Sequence, residues 1–193
     1  MDIEKDFMNA KKIAMGKLTK AKSENKADEK ILSIIDLINK SDDYFTSSSC
    51  AGRIVLLEIP GIGDKKEAKS LGKWHRTIRP DEFLDSVSAA KKGQLWLLAQ
   101  SPIIHVSAKT NKAADKLLKT AVACGFKHSG LKSLGSRIVV EICSTERLDS
   151  PVGRDGVLFC DDEYLSLLVD ISNSIIEKSD VKISRFEEKL TNF

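Results

Sequence analysis

Apolar residues recur every three or four positions at the start of the chain: Ile3, Phe7, Ala10, Ala14 and Leu18, with lysines on the other face. That spacing predicts an amphipathic helix. A second is predicted around Ile31, Ile34, Ile35 and Ile38, with the polar stretch from Lys20 to Asp28 as the turn between them and Ser41-Asp42-Asp43 as the close. The β-rich run Arg53 to Ile59 stops at Pro60-Gly61, a strong breaker. Further strands are predicted over Gly72 to Ile78, Leu95 to Ala99, Ile103 to Ser107 and Arg137 to Cys143. Pro80 suits the first turn of a short helix carrying Phe83, Leu84 and Val87 and ending by Gly93. Thr110 can cap a helix with Ala114, Leu117, Leu118, Ala121 and Val122 inside, and Gly125 fits the position just past its end. Asp161 and Asp162 can start a last, long helix whose stripe is Leu165, Leu168, Ile171, Ile175, Ile183, Phe186 and Leu190. Core packing is the expected use of that stripe.

The strands come in closely connected pairs more often than in regular strand–helix–strand alternation. This predicts an α+β fold with a mixed, largely antiparallel sheet flanked by helices, an N-terminal helix pair and a long C-terminal helix. One domain over residues 1–193 is expected. Pro60-Gly61-Ile62-Gly63 has no helix directly after it and no distal acid in place, so it is not a dinucleotide loop. A Rossmann architecture is not expected.

Composition alters this picture little. Apolar content is 41% and charged content 31%, which suits a globular core, and the net charge is only +3. Any nucleic-acid contact must therefore come from local patches. Cys50, Cys124, Cys143 and Cys160 lack metal-ligand spacing, and His75, His105 and His128 do not cluster with them, so no metal is expected. No leader pattern or membrane-length apolar run is found, and the expected setting is cytoplasmic and reducing, with free thiols.

Several stretches carry candidate chemistry. In Ser47-Ser48-Ser49-Cys50-Ala51-Gly52-Arg53, small hydroxyls and a glycine stand beside an arginine fork that fits carboxylate or phosphate. An anion cradle and a plain polar turn weigh about equally. Lys65 to Arg79 holds six basic residues and one acid around Trp74 and His75. Lysines and arginines there can meet phosphates while an aromatic stacks on an unpaired base; a solvated loop with Trp74 turned inward is the alternative. His105 sits on a strand between Ile104 and Val106, facing away from them, as a general base or as a structural histidine. Glu141 lies on a strand, with Ser144, Thr145, Arg147 and Asp149 read as loop residues beyond its end. Cys50 with His105 also forms, on paper, a thiol nucleophile and its base.

Four ordered stretches give these residues a common frame: Tyr44 to Ile54 (YFTSSSCAGRI), Ile103 to Ala108 (IIHVSA), Cys124 to Gly130 (CGFKHSG) and Glu141 to Val152 (EICSTERLDSPV). With the two preceding helices and the following DDEYLSLLVDISN, they make nearly the whole chain resemble the wybutosine-synthesis methyltransferases of archaea and eukaryotes, and its compact length looks archaeal. The resemblance implies S-adenosylmethionine as methyl donor and a non-Rossmann fold. It implies methylation of ring nitrogen 4 in the tricyclic wyosine precursor (7-aminocarboxypropyl-demethylwyosine) beside the anticodon of phenylalanine tRNA. Laid on this reaction, His105 is the candidate proton acceptor, with Glu141 second. Ser48, Ser49 and Arg53 would grip the donor's carboxylate or a tRNA phosphate, beside Cys50 as a polarisable neighbour. Ser144 and Arg147 would complete the pocket wall, and Lys73, Trp74 and Arg76 would engage the anticodon arm. Position 143, a cysteine here, can be arginine in other members. A tRNA-binding accessory protein without catalysis and a thiol-dependent hydrolase are the competing readings.

Overall fold

A computed structural model describes residues 3–64, 66–135 and 137–193, and the side chain of Ile3 is outside it. The predicted roles of Ile3 in the first stripe and of Lys65 in the basic segment therefore lie outside the described residues. The chain forms two compact units, divided after Ala51, Ser101, Thr145 and Ser179.

The first unit holds residues 3–51, 102–145 and 180–193. Its helices α1 (Ile3–Ser23) and α2 (Glu29–Lys40) are the predicted pair. Strands β1 (Tyr44–Cys50), β5 (Ile103–Ala108), β7 (Ile138–Cys143) and β6 (Gly130–Leu134) form a sheet in that spatial order, antiparallel throughout. Helix α4 (Asn111–Ala123) follows β5. Thr110 caps it by accepting from the Ala113 amide, and Gly125 lies just past it at φ +103°, both as predicted.

Strand alternation sorts this sheet into two faces. Ile104, Val106, Val140 and Ile142 face a core built with Ile31, Ile34, Ile35 and Ile38 of α2 and with Leu117 and Ala121 of α4. Ile183, Phe186 and Leu190 complete it, the Phe186 ring standing edge-on to Phe126 at 5.6 Å. Tyr44 is buried in the same core and its hydroxyl donates to the Ala113 carbonyl at 2.9 Å. Burial first, and Asp43 second, push its phenol up to about 12. On the opposite face Phe7 and Ala10 of α1 pack on Phe45, the two rings 5.1 Å apart.

The second unit holds residues 52–101 and 146–179. Its sheet runs β3 (Lys69–Trp74), β2 (Arg53–Ile59), β4 (Gln94–Gln100), β8 (Arg147–Arg154) and β9 (Val157–Leu158), again antiparallel throughout. Ile54, Leu56, Leu95, Leu97, Ala99 and Val152 form a core with Phe83 and Val87 of α3 (Pro80–Val87) and with Leu165, Leu168, Val169, Ile175 and Ile176. The last five belong to α5 (Asp162–Thr191), the long terminal helix. The Asn173 side chain fastens Ile78 to α5, accepting from its amide at 2.9 Å and donating to its carbonyl at 2.8 Å. No helix among the described residues is long and apolar enough to cross a membrane.

Several predicted boundaries need correction. Tyr44 to Cys50 is a strand, not a turn, because pairing to β5 overrides the weak strand preference of three serines. The strand after Pro60 spans Lys69–Trp74, six residues ending before the predicted Gly72 to Ile78 segment does. Arg147 and Asp149 lie within β8 rather than a loop. Leu84 of α3 and Val122 of α4 are exposed rather than inside, and Ile171 of α5 is exposed too, so Val169 and Ile176 complete the core stripe of α5 instead.

Candidate active site and anion-binding row

Three of the residues singled out in the sequence stand in one line across the first sheet. Ser48 on β1 is directly opposite His105 on β5, and His105 is directly opposite Glu141 on β7. Directly opposed residues of an antiparallel pair share a face. Here it is the face turned away from Ile104 and Ile142. The alignment depends on a β-bulge: Thr46 pairs with Val106 and Ser48 with His105, leaving Ser47 as the extra residue. Were the ladder regular beyond Thr46 with Ser47 paired, Ser47 would stand opposite His105 and Ser48 would face the core side.

The contacts are at hydrogen-bond distance. Ser48 Oγ lies 2.9 Å from His105 Nδ1, and His105 Nε2 lies 2.8 Å from Glu141 Oε2. Lys132 of β6 reaches the same carboxylate at 3.2 Å. Burial pushes the Glu141 carboxyl up, but hydrogen bonds from His105 and Lys132 outweigh it and hold the group below the usual carboxylate range. Glu141 is thus ionised near neutral pH and can only accept. That assigns the proton of neutral His105 to Nε2 and leaves Nδ1 as an acceptor for the Ser48 hydroxyl. The side chains of His105 and Glu141 keep 25% and 19% of their surface, enough for a ligand to meet them.

Other predicted members of the first unit are placed differently. Ser49 pairs with Ile104 and so points to the opposite face from Ser48. Cys50 pairs with Ile103 on the His105 face, but a hydroxyl rather than its thiol stands against Nδ1, which removes the basis for a Cys50–His105 nucleophile pair. Ser144 is buried and accepts from Lys182 Nζ at 3.2 Å.

A second row crosses the other sheet. Arg53 of β2 is directly opposite Gln100 of β4, which is directly opposite Arg147 of β8. Arg53 Nε donates to Gln100 Oε1 at 3.0 Å, and Arg147 Nε pairs with Asp149. Arg53 and Arg147, far apart in sequence, thus share one face at one end of this sheet. Lys73 and Asp149 lie one row further along on that face, through Val55 and Leu98.

Of the basic segment, Trp74 is opposite Ile54 and packs on the core, with its ring across Gly72, where an added Cβ would meet it at 2.1 Å. Arg76 is held by Glu82 at 2.6 Å and 3.2 Å, and this guanidinium holds the Glu82 carboxyl down to about 2. The sequence reading missed Lys132 and Gln100. Lys132 sits in a short strand with no apolar alternation, and Gln100 gains meaning only from its register.

The chain as a whole is similar to known proteins in sequence and in fold. The family model described as Methyltransferase TYW3 matches residues 9–192. A curated relative from Pyrococcus abyssi, named tRNA(Phe) 7-((3-amino-3-carboxypropyl)-4-demethylwyosine(37)-N(4))-methyltransferase 1, is 44% identical over 191 residues, 98% of each chain. A relative from Methanocaldococcus jannaschii with the same enzyme name, unnumbered, is 37% identical, covering 95% of this chain and 96% of its own. Among solved structures, the PH1069 protein from Pyrococcus horikoshii superposes with a TM-score of 0.93 at 43% identity, covering 98% of both chains. A hypothetical protein from Aeropyrum pernix superposes at 0.72 with 29% identity, over 86% of this chain and 98% of that one.

Proposed function

We infer the reaction from one premise: the chain belongs to the TYW3 methyltransferase family. It is a methyltransferase, and its substrate on this reading is phenylalanine tRNA carrying the 7-(3-amino-3-carboxypropyl)-4-demethylwyosine named for its relatives. The methyl donor is S-adenosylmethionine. When bound, that donor supplies an electrophilic methyl on a sulfonium that departs as a neutral thioether. Its α-carboxylate calls for a cationic fork. Arg53 fits, because its Nε is engaged by Gln100 and no carboxylate among the described residues pairs with its terminal nitrogens.

The acceptor nitrogen 4 must lose a proton as its bond to the methyl carbon forms. The Ser48–His105–Glu141 row can take it. Ser48 Oγ accepts the proton from the ring nitrogen as its own passes to His105 Nδ1, leaving an imidazolium. Glu141, already ionised, steadies that cation and fixes the ring, and Lys132 keeps the carboxylate charged. No covalent enzyme intermediate is needed, since the leaving group belongs to the donor. The Ser48–His105 contact carries this assignment of roles.

The remaining predicted members keep subordinate parts. Cys50 borders the base-handling face, Ser49 lies on the opposite face of the same strand, Ser144 is buried against Lys182, and Arg147 joins Arg53. Lys73 is exposed on the edge strand and meets the tRNA backbone with Arg76, while Trp74 supports that strand from the core side. The cytoplasm, where tRNA is modified, is the proposed setting.

The test is direct. Purified protein is incubated with methyl-labelled donor and phenylalanine tRNA bearing the demethylated tricycle, and the nucleoside is weighed by mass spectrometry. A gain of one methyl on nitrogen 4 is expected; tRNA binding with no methyl gain would leave an accessory tRNA-binding role in its place.

A further inference from the structure

We propose that the Arg53–Gln100–Arg147 row, completed by Asp149, is a binding site for a 3-amino-3-carboxypropyl group. This rests on the substrate and donor proposed above. The row offers two kinds of charge on one sheet face. Arg53 and Arg147 are each engaged through Nε, by Gln100 and by Asp149, which orients both planar forks and leaves their terminal nitrogens for a carboxylate. Asp149, two residues on from Arg147 along β8, lies on the same face and offers an anion to an ammonium. Neighbouring strands stand about 5 Å apart, so Gln100 separates the two forks by about 10 Å in all. One α-amino-acid end is shorter than that span, so it takes one fork for its carboxylate and the Asp149 carboxylate for its ammonium, with the other fork facing it across Gln100.

A phosphate would gain from the arginines but would be repelled by Asp149. A zwitterion gains from both. The two reactants share this zwitterion: S-adenosylmethionine carries a 3-amino-3-carboxypropyl group on its sulfur, and the relatives' acceptor carries the same group on its tricycle. The chemistry of the row selects that group, and binding measurements tell which reactant presents it.

The experiment uses the full chain and binding alone, so it does not depend on turnover. Calorimetry compares S-adenosylhomocysteine, which has the group, with 5′-methylthioadenosine, which lacks it. Fluorescence titration compares tRNA carrying the tricycle with and without the side chain. Wild type is expected to prefer the group-bearing member of at least one pair by about ten- to hundred-fold, the range of a charged hydrogen bond. Arg53→Gln and Arg147→Gln, the second at an exposed side chain where folding is safe, are expected to abolish that preference, and Asp149→Asn to reduce it. Loss confined to the nucleoside pair assigns the row to the donor; loss confined to the tRNA pair assigns it to the acceptor. The proposal is overturned if wild type shows neither preference, or if the variants retain it. It is also overturned if they weaken both tRNAs equally with a reduced salt slope, which marks a phosphate contact. A wild type that shows the preference yet fails to methylate would sink the reaction and leave this site standing.

Discussion

Ser48 and His105 face each other across the β1–β5 pair, with Oγ 2.9 Å from Nδ1, because Ser47 is bulged out of the ladder. The relationship is one of register, not of sequence distance. Deleting Ser47 should remove the bulge and leave Ser48 opposite His105 in a regular ladder, while the core residues Tyr44 and Phe45 keep their places. Methylation is expected to stay within about ten-fold of wild type in that deletion and to fall by two orders of magnitude or more once Ser48→Ala is added to it, the usual size of a general-base contribution. Circular dichroism should show the folded state retained, and single-turnover kinetics measures the loss.

Ser48→Ala and His105→Ala separate relay from base. If the proton passes through Ser48, both variants lower the single-turnover rate, and the double variant falls no further than the worse single one. Additive losses in that double-mutant cycle would place the two residues on separate tasks.

Lys132→Met removes a cation 3.2 Å from Glu141. The Glu141 carboxyl is held below its usual range, so losing Lys132 raises it. The acid limb of the methylation pH profile should then move to higher pH, and Lys132→Arg should move it back. The linked stability has the same sign. A carboxyl depressed in the folded state stabilises above its unfolded pKa, and that share is lost as pH falls through the folded value. Lys132→Met should shrink the loss between neutral and acidic pH in urea titrations.

Glu58 is 3% exposed and accepts from the Lys91 and Lys92 amides at 2.5 Å and 2.9 Å, closing the turn before β4. Glu58→Ala leaves those donors without their partner, and a loss of about 1–3 kcal/mol is expected by denaturant unfolding. Phe186→Ala in the first core should cost more, about 3–5 kcal/mol, because it empties a fully buried ring site against Phe126.

Trp74→Leu tests the basic segment. The ring rests on the core and over Gly72, so the substitution should lower thermal stability while tRNA affinity changes less than with Lys73→Ala. Equal losses of tRNA affinity would return Trp74 to a stacking role.

Elements with strong periodicity were readable from the chain alone: α2, α4 and β2 lie where their apolar spacing puts them. Those that depend on a neighbour were not. β1 holds three serines in a row, and β8 contains Pro151 and Gly153, both poor strand residues. Pro151 is accepted next to the register shift between β4 and β8, opposite Trp96. Ser48, His105, Glu141, Arg53 and Arg147 could each be singled out by type. Their grouping into two rows could not, because one residue of slip turns every side chain to the other face. The face taken by Ser48 is set by a bulge, which leaves no mark in residue spacing.

The central strand β5 has a kinetic consequence. Ser48, His105 and Glu141 come together only after β5 has paired on both sides, with segments lying dozens of residues away in each direction. Such distant pairings form slowly, since the intervening loops must close before any contact rewards them. Recovery of catalysis after dilution from denaturant should therefore lag the return of helical signal, making turnover a clock for the last stage of chain assembly.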